Sequence, residues 1–266
     1  MEVVYGLHPV EEAVRAGSGR VEAVLLARDR SPRLEKLAEF CRASGVRVSA
    51  GSKDELTRIC RTDAHQGAVA QLRDRKFLTV EDLLVGVGQS PESPRRFFLA
   101  LDGVEDPHNL GALLRSADGA GVQGVLLPER RSAPITGVVA KTSAGATEHV
   151  NIARVTNLTR ALEQMKKAGV WVIGLDERGT PDYTDFDFRA QDCCLVLGSE
   201  GTGLHDLVKK TCDHLLRIPM QGSVSSLNVS VAGAVVMYEA LRQRRESPQA
   251  LPVAAKPVKP RRGLGS

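Results

Sequence analysis

Long apolar runs are missing from this chain of 266 residues, and none approaches membrane-spanning length. A helical membrane protein is therefore excluded. The start, Met1-Glu-Val-Val-Tyr5, lacks the basic-then-apolar form of a signal peptide, so a cytoplasmic protein is expected. Cysteine is sparse: Cys41, Cys60, Cys193, Cys194 and Cys212 form no C-x-x-C pair, and Cys193 and Cys194 sit in an apolar strand pattern. That distribution fits reduced, buried thiols better than disulfides or zinc. The six histidines show no metal-ligand spacing, and no metal is expected. Aromatic residues make up only 4% of the chain. Charge of one sign is not in large excess either; a net +4 permits an anionic partner without establishing one.

The remaining composition is that of a globular protein with room for two modest domains. Residues 1–73 alternate helix and strand signals. Strand patterns lie at Val21–Leu26, Val46–Val48 and Gln66–Leu72, and helix patterns at Pro9–Val14, Pro32–Ala43 and Lys53–Cys60. A small layered α/β unit is expected. Arg73, Arg75 and Lys76 follow and read as a solvated charge run. Residues 86–96 have the Pro, Gly and Ser content of a linker, so 74–96 is taken as the connection. From 97 to 245, strand patterns alternate with helix patterns, which predicts a mostly parallel sheet covered on both faces. Residues 246–266, with four prolines and several basic residues, read as a disordered basic tail.

Gly119-Ala-Gly-Val-Gln-Gly124 matches a dinucleotide fingerprint in letters only. A helix pattern precedes it and a strand follows, the reverse of what phosphate binding needs, so a nicotinamide or flavin dehydrogenase is rejected.

Three other stretches carry more. In Leu101-Asp-Gly-Val-Glu-Asp-Pro-His-Asn-Leu-Gly-Ala-Leu-Leu-Arg115, a strand ends and a helix starts near Asn109. Asn109 stands where an N-cap would. Arg115 lies off the apolar stripe, either as an ordinary exposed arginine or as a guanidinium suited to a nucleic-acid phosphate. In Leu195-Val-Leu-Gly-Ser-Glu-Gly-Thr-Gly-Leu204, a buried strand runs into a Gly-rich loop with one carboxylate, Glu200: a solvated residue, a site acid or an orienting group. In Arg217 to Leu241, a strand is followed by a loop of small polar residues and a long helix pattern containing Ser230, Ala232, Gly233 and Ala234. Backbone exposed between Met220 and Asn228 suits a polar small molecule; a capped core helix is the plainer alternative.

Together, in this order and spacing, these three blocks resemble the three motifs of the SpoU (TrmH-type) RNA 2'-O-methyltransferases. Val4-Tyr-Gly-Leu-His-Pro-Val10 and His65-Gln-Gly67 resemble the small substrate-binding domain of that family. Asp102–Asn109 and Gly222–Ser230 are most similar to the branch that methylates a guanosine of 23S rRNA.

The resemblance implies a ribosomal-protein-like (L30e-like) RNA-binding module before a parallel-sheet SPOUT domain with a trefoil knot. It implies S-adenosylmethionine as cofactor, held by Leu197, Gly198, Gly201, Ile218, Met220 and Leu227, with Glu200 and Ser226 beside it. It implies Asn109, Arg115, Glu200, Ser226 and Asn228 as catalytic residues. It also implies a homodimer formed through the C-terminal domain, with the long helix from Val229 at the contact. Guanidinium is effectively always protonated, so Arg115 is read as a clamp on substrate phosphate rather than a base. The expected substrate is 23S rRNA or a precursor particle of the large subunit. The alternatives are a 2'-O-methyltransferase acting on tRNA or on another rRNA site, as in antibiotic resistance, and a non-catalytic RNA-binding or assembly protein. With few aromatic side chains to stack on bases, substrate choice is expected to rest on phosphate contacts and RNA shape.

Overall fold

A computed structural model describes residues 2–16, 20–29, 31–85 and 95–245. The tail at 246–266 and most of the Pro- and Gly-rich stretch at 86–96 lie outside the described residues.

The first unit is a four-stranded sheet of β1 (Glu2–Tyr5), β2 (Val21–Ala27), β3 (Arg47–Gly51) and β4 (Ala68–Leu72), in the order β1-β4-β2-β3. β4 runs antiparallel to both neighbours, and β2 and β3 are parallel. Helices α1 (Leu7–Arg15), α2 (Pro32–Ala43) and α3 (Lys53–Cys60) cover it. α2 starts where its sequence says it should: Ser31 Oγ accepts the Leu34 amide and Pro32 occupies the first turn. Its predicted stripe of Leu34, Leu37, Ala38 and Cys41 is buried.

The second unit is a six-stranded, wholly parallel sheet: β5 (Phe97–Asp102), β6 (Gly124–Pro128), β7 (Ile152–Val155), β8 (Trp171–Leu175), β9 (Cys193–Gly198) and β10 (His214–Leu216). Its order is β10-β8-β9-β5-β6-β7. β5, at the centre, is buried at every residue. α5 (Pro107–Gly119) and α9 (Val229–Arg245) pack on one face through Leu110, Leu113, Val236 and Met237. α4 (Val80–Val85), α7 (Leu158–Lys167) and α8 (Asp206–Thr211) cover the other face through Leu83, Leu162, Met165 and Val208. α6 (Gly137–Thr142) and a 3-10 turn at Ala146–Glu148 complete the unit. The chain builds outward from β5 to β7, then crosses to β8 on the other side. Between β5 and β9 lies the switch in strand order at whose carboxyl edge such sheets bind ligands.

Loop 176–192 lies across β10. Thr180 pairs with Leu215 and Asp182 with Arg217, and the Tyr183 amide donates to the Arg217 carbonyl at 2.9 Å. β10 is thus covered by chain that precedes it.

Several elements depart from the sequence reading. β1 and β7 are four residues each, too short for alternation to register. Part of the stretch taken as a connection is structured: Leu78 bridges to Ala153, and α4 buries Val80 and Leu83 against the second sheet. The charge run at 73–76 is not wholly solvated. The Arg75 side chain is 12% exposed and pairs with Glu148, whose side chain is 1% exposed and also takes Arg20. That cluster forms because the two units pack together. Ala140 of α6 joins the core of the first unit, and Lys141 Nζ donates to the Ala64 carbonyl at 2.9 Å. All five cysteines are free thiols; burial pushes Cys193 up to about 11 and Cys212 up to about 12.

Candidate active site

The Gly-rich loop after β9 owes its shape to missing side chains. A Cβ on Gly198 would lie 2.1 Å from the carbonyl carbon of Gly203, so only glycine lets the loop fold back on the strand end. The return is closed by Ser199 and Gly203, whose amides and carbonyls exchange two 3.0 Å hydrogen bonds. This places the backbone of 198–203 over the carboxyl edge of the sheet.

Beneath the loop is a cavity of about 440 Å³. All six residues expected to hold the cofactor, Leu197, Gly198, Gly201, Ile218, Met220 and Leu227, line it, as do Glu200 and Ser226. Its walls are three backbone segments with apolar side chains between them. Asp176, Glu177 and Asp206 add carboxylates that no motif had marked. Burial pushes the Asp176 carboxyl up, but hydrogen bonds from Lys209 Nζ (2.6 Å) and the Arg178 amide (2.9 Å), with the charges behind them, outweigh it and hold Asp176 below its ordinary value.

At the mouth of this cavity the three motifs meet on one side chain. Asn228 Nδ2 donates to Asn109 Oδ1 at 3.0 Å and also to Glu200 Oε1. Its Oδ1 accepts from the Ser230 amide at 3.0 Å and the Ser230 hydroxyl at 2.6 Å, capping α9. Asn109 is not the cap of α5, as its position in the sequence suggested. Asp106 fills that role, accepting the His108 amide at 2.9 Å with Pro107 in the first turn. Relieved of capping, Asn109 is 7% exposed and faces the network. The starts of α5 and α9 therefore converge on one point, and both carry partial positive charge there.

Two expected residues stand apart from this network. Ser226 lines the cavity but makes no hydrogen bond among the described residues. Arg115 is exposed on α5, lines neither cavity described here, and has no partner among the described residues. Its position six residues beyond Asn109 sets it roughly 9 Å further along the helix axis.

A second cavity of about 440 Å³ adjoins the first and shares Ser199, Glu200, Thr202 and Val229 with it. Asn109 opens onto it, and so do Arg131 and His205, which sequence reasoning had passed over. Asp102, the last residue of β5, fixes His205. Its Oδ2 accepts the His205 amide at 2.8 Å and its Oδ1 the ring Nδ1 at 2.9 Å. The available signal was positional, since Asp102 ends the central parallel strand.

The small residues of α9 find their explanation inside the chain at one position. A Cβ on Gly233 would sit 2.5 Å from Leu197 and 2.6 Å from Leu113, so glycine there lets α9 close on β9 and α5. The helix's outward face carries exposed Val231 (48%) and Tyr238 (50%).

A parallel-sheet α/β enzyme, with a cofactor-sized cavity at the switch in strand order and a polar triad of Asn109, Glu200 and Asn228 at its mouth, is the class these features define. The chain belongs to the SpoU rRNA Methylase family, whose model matches residues 96–238; residues 3–78 match the model for RNA 2'-O ribose methyltransferase substrate binding. It is 41% identical over 249 residues to the 23S rRNA (guanosine-2'-O-)-methyltransferase RlmB of Ralstonia nicotianae, covering 93% of this chain and 98% of that one. It is 42% identical over 246 residues to RlmB of Pseudomonas aeruginosa, covering 91% and 97%. The crystal structure of the SpoU methyltransferase AviRb from Streptomyces viridochromogenes, in complex with AdoMet, superposes with a TM-score of 0.75 at 26% identity, covering 92% of this chain and 91% of that one.

Among the described residues no helix is long and apolar enough to cross a membrane, and no cluster of His, Cys, Asp and Glu could hold a metal ion.

Proposed function

We propose that this protein transfers a methyl group from S-adenosylmethionine to the ribose 2'-hydroxyl of a guanosine in 23S rRNA. The observation that carries the reading is the single amide of Asn228, which joins all three motifs at the mouth of a cavity fit for that cofactor. The fit is chemical. Apolar walls from Leu197, Ile218 and Leu227 suit the faces of an adenine ring, backbone of the glycine loop suits its polar edge, and the carboxylates suit a cationic sulfonium and ammonium. When bound, the cofactor supplies an electrophilic methyl group.

The chain's own residues supply position and charge. A ribose hydroxyl is a very weak acid, so much of the rate must come from holding its oxygen in line. Asn109, Asn228 and Glu200 form a prearranged set of donors and acceptors for the ribose, and Ser226, with no hydrogen-bond partner among the described residues, is available to it. The two helix starts at this point favour negative charge developing on the oxygen. Arg115 clamps a substrate phosphate on the exposed side of α5. The first unit (residues 1–73) selects the RNA, and residues from 97 to 245 carry out transfer. The path of β10 beneath loop 176–192 supports a trefoil knot in this unit. The reading has the enzyme act in the cytoplasm as a homodimer. Leu227, Val231 and Tyr238, all exposed on α9 and the loop before it, supply an apolar contact surface.

The test is methyl transfer from labelled S-adenosylmethionine to unmodified 23S rRNA, 16S rRNA and bulk tRNA, with wild type and Arg115→Ala, followed by mapping. Label on one guanosine ribose of 23S rRNA, much reduced with Arg115→Ala, is expected. Label on tRNA alone overturns the substrate; absence of both label and cofactor binding overturns the enzyme. Light scattering of wild type and Tyr238→Glu tests the dimer, which the variant should dissociate.

A further inference from the structure

We propose that Arg131 and His205 form a subsite for the RNA phosphodiester that flanks the methyl-accepting ribose, with Asp102 as its positioning residue. The inference rests on the methyltransferase reading above. It starts from an unusual pairing. Arg131 Nη1 lies 3.2 Å from His205 Nε2, and Arg131 makes no ion pair among the described residues. Glu105 and Asp106 line the same cavity, yet neither neutralises it. The tautomer follows from the neighbours. An Asp102 carboxylate can only accept, so Nδ1 of His205 carries the proton and Nε2 is left to accept from the guanidinium. Arg131 is thus parked on a neutral acceptor with its charge unspent.

Its backbone supports the same reading. Arg131 has φ 55°, in the left-handed region that non-glycine residues rarely enter. Strain of this kind persists where the surroundings impose it, and it clusters at ligand sites. The loop after β6 thereby delivers the guanidinium to the cavity that also holds Asn109 and Glu200.

The chemical class of the ligand follows from charge. A ribose within RNA carries a phosphate on either side, so a site that seats the 2'-hydroxyl at Asn109 and Glu200 must meet the adjoining phosphate. A planar guanidinium suits phosphate oxygens. Glu105, Asp106 and Glu200 would repel a multiply charged group such as a nucleoside triphosphate. A diester carrying a single negative charge is matched by the one guanidinium, which His205 Nε2 holds in place. His205, anchored at both its amide and its ring, sets where Arg131 can rest.

The experiment measures binding and transfer separately, with an unmodified 23S rRNA fragment as probe. Binding is titrated against salt for wild type, Arg131→Gln, His205→Gln and Arg130→Gln, the last a control for the loss of one neighbouring charge. Arg131→Gln should weaken binding about tenfold and lower the slope of log affinity against log salt by about 0.7, one phosphate contact on a single strand. Fragments with a neutral methylphosphonate on either side of the labelled guanosine are then compared. Wild type and Arg130→Gln should lose about tenfold at one of the two linkages, and Arg131→Gln should lose nothing further there. Arg131→Gln with wild-type affinity and slope, or with undiminished sensitivity to both neutral linkages, overturns the subsite. If wild type binds the RNA but transfers no methyl group, the functional reading fails and the salt slope alone decides the subsite. If wild type binds no RNA, both fall.

Discussion

Asn228 and Asn109, 119 residues apart in sequence, share a 3.0 Å amide hydrogen bond, and the same Nδ2 reaches Glu200. One side chain therefore both caps α9 through its oxygen and ties the site together through its nitrogen. The two roles can be separated. Asn228→Asp keeps the oxygen that caps Ser230 but replaces the donor with a second carboxylate facing Glu200. Stability should change little, while kcat should fall about a hundredfold, as for loss of one donor to developing oxyanion charge. Asn228→Ala should also lose the cap, about 1 kcal/mol. Methyl-transfer kinetics alongside thermal unfolding make the comparison. Equal losses of activity and stability in the aspartate variant would show that the network only holds the fold.

Much of this arrangement was legible in the sequence because it is local. Gly198 and Gly201, the apolar stripe of α2 and the small polar loop before α9 each announce a shape within ten residues. What was not legible depends on distant partners. Asp106, not Asn109, caps α5, and only the Asn228 side chain reveals what Asn109 is free to do. Arg75 looks solvated until Glu148 is found beside it from the other unit. Asp102 and His205, 103 residues apart, carry no pattern that pairs them. Gly233 reads as an invitation to a partner chain but is filled from within by Leu197 and Leu113. α4 and β7 are too short for periodicity to detect.

Gly198→Ala tests whether the loop's tight return makes the cofactor cavity. The new Cβ would lie 2.1 Å from the backbone of Gly203, so strand end and loop must separate. Cofactor affinity should fall at least about tenfold by calorimetry, and overpacking should cost about 1–3 kcal/mol of stability. An unchanged dissociation constant would mean that the ligand does not sit under this loop.

Asp176 gives the cavity a defined response to acid. Its folded carboxyl lies below the ordinary value: burial opposes this, but the bonds from Lys209 and the Arg178 amide outweigh burial. A lowered folded pKa means that the contribution is complete above the ordinary carboxylate range, near about 3.9, and is lost as pH falls through the lowered value. Asp176→Asn lacks it. The stability gap between wild type and variant, about 1–2 kcal/mol for a hydrogen-bonded charge, should be the same at pH 7 and pH 5 and narrow only in stronger acid. Urea unfolding across that range measures it; a gap that widens on acidification would reverse the sign argued here.

Glu148 joins the first unit to the second. Its side chain is 1% exposed and takes Arg20 at 2.7 Å and Arg75 on its other oxygen, while Arg75 also donates to the Thr147 carbonyl at 2.6 Å. Glu2 shares Arg20, so two carboxylates and two guanidiniums balance where little water reaches. Such a cluster adds little over apolar packing, yet removing one member strands the others. Glu148→Gln leaves two guanidiniums with one carboxylate, Glu2, which reaches Arg20, and strands Arg75 against a neutral amide. The expected cost is about 3 kcal/mol, the low end for breaking a buried pair, or roughly 6–12 °C in Tm for a chain of this size. A melting temperature within about a degree of wild type would show that the two units are joined by their apolar contacts alone, with Ala140 of α6 in the first unit's core as the principal link.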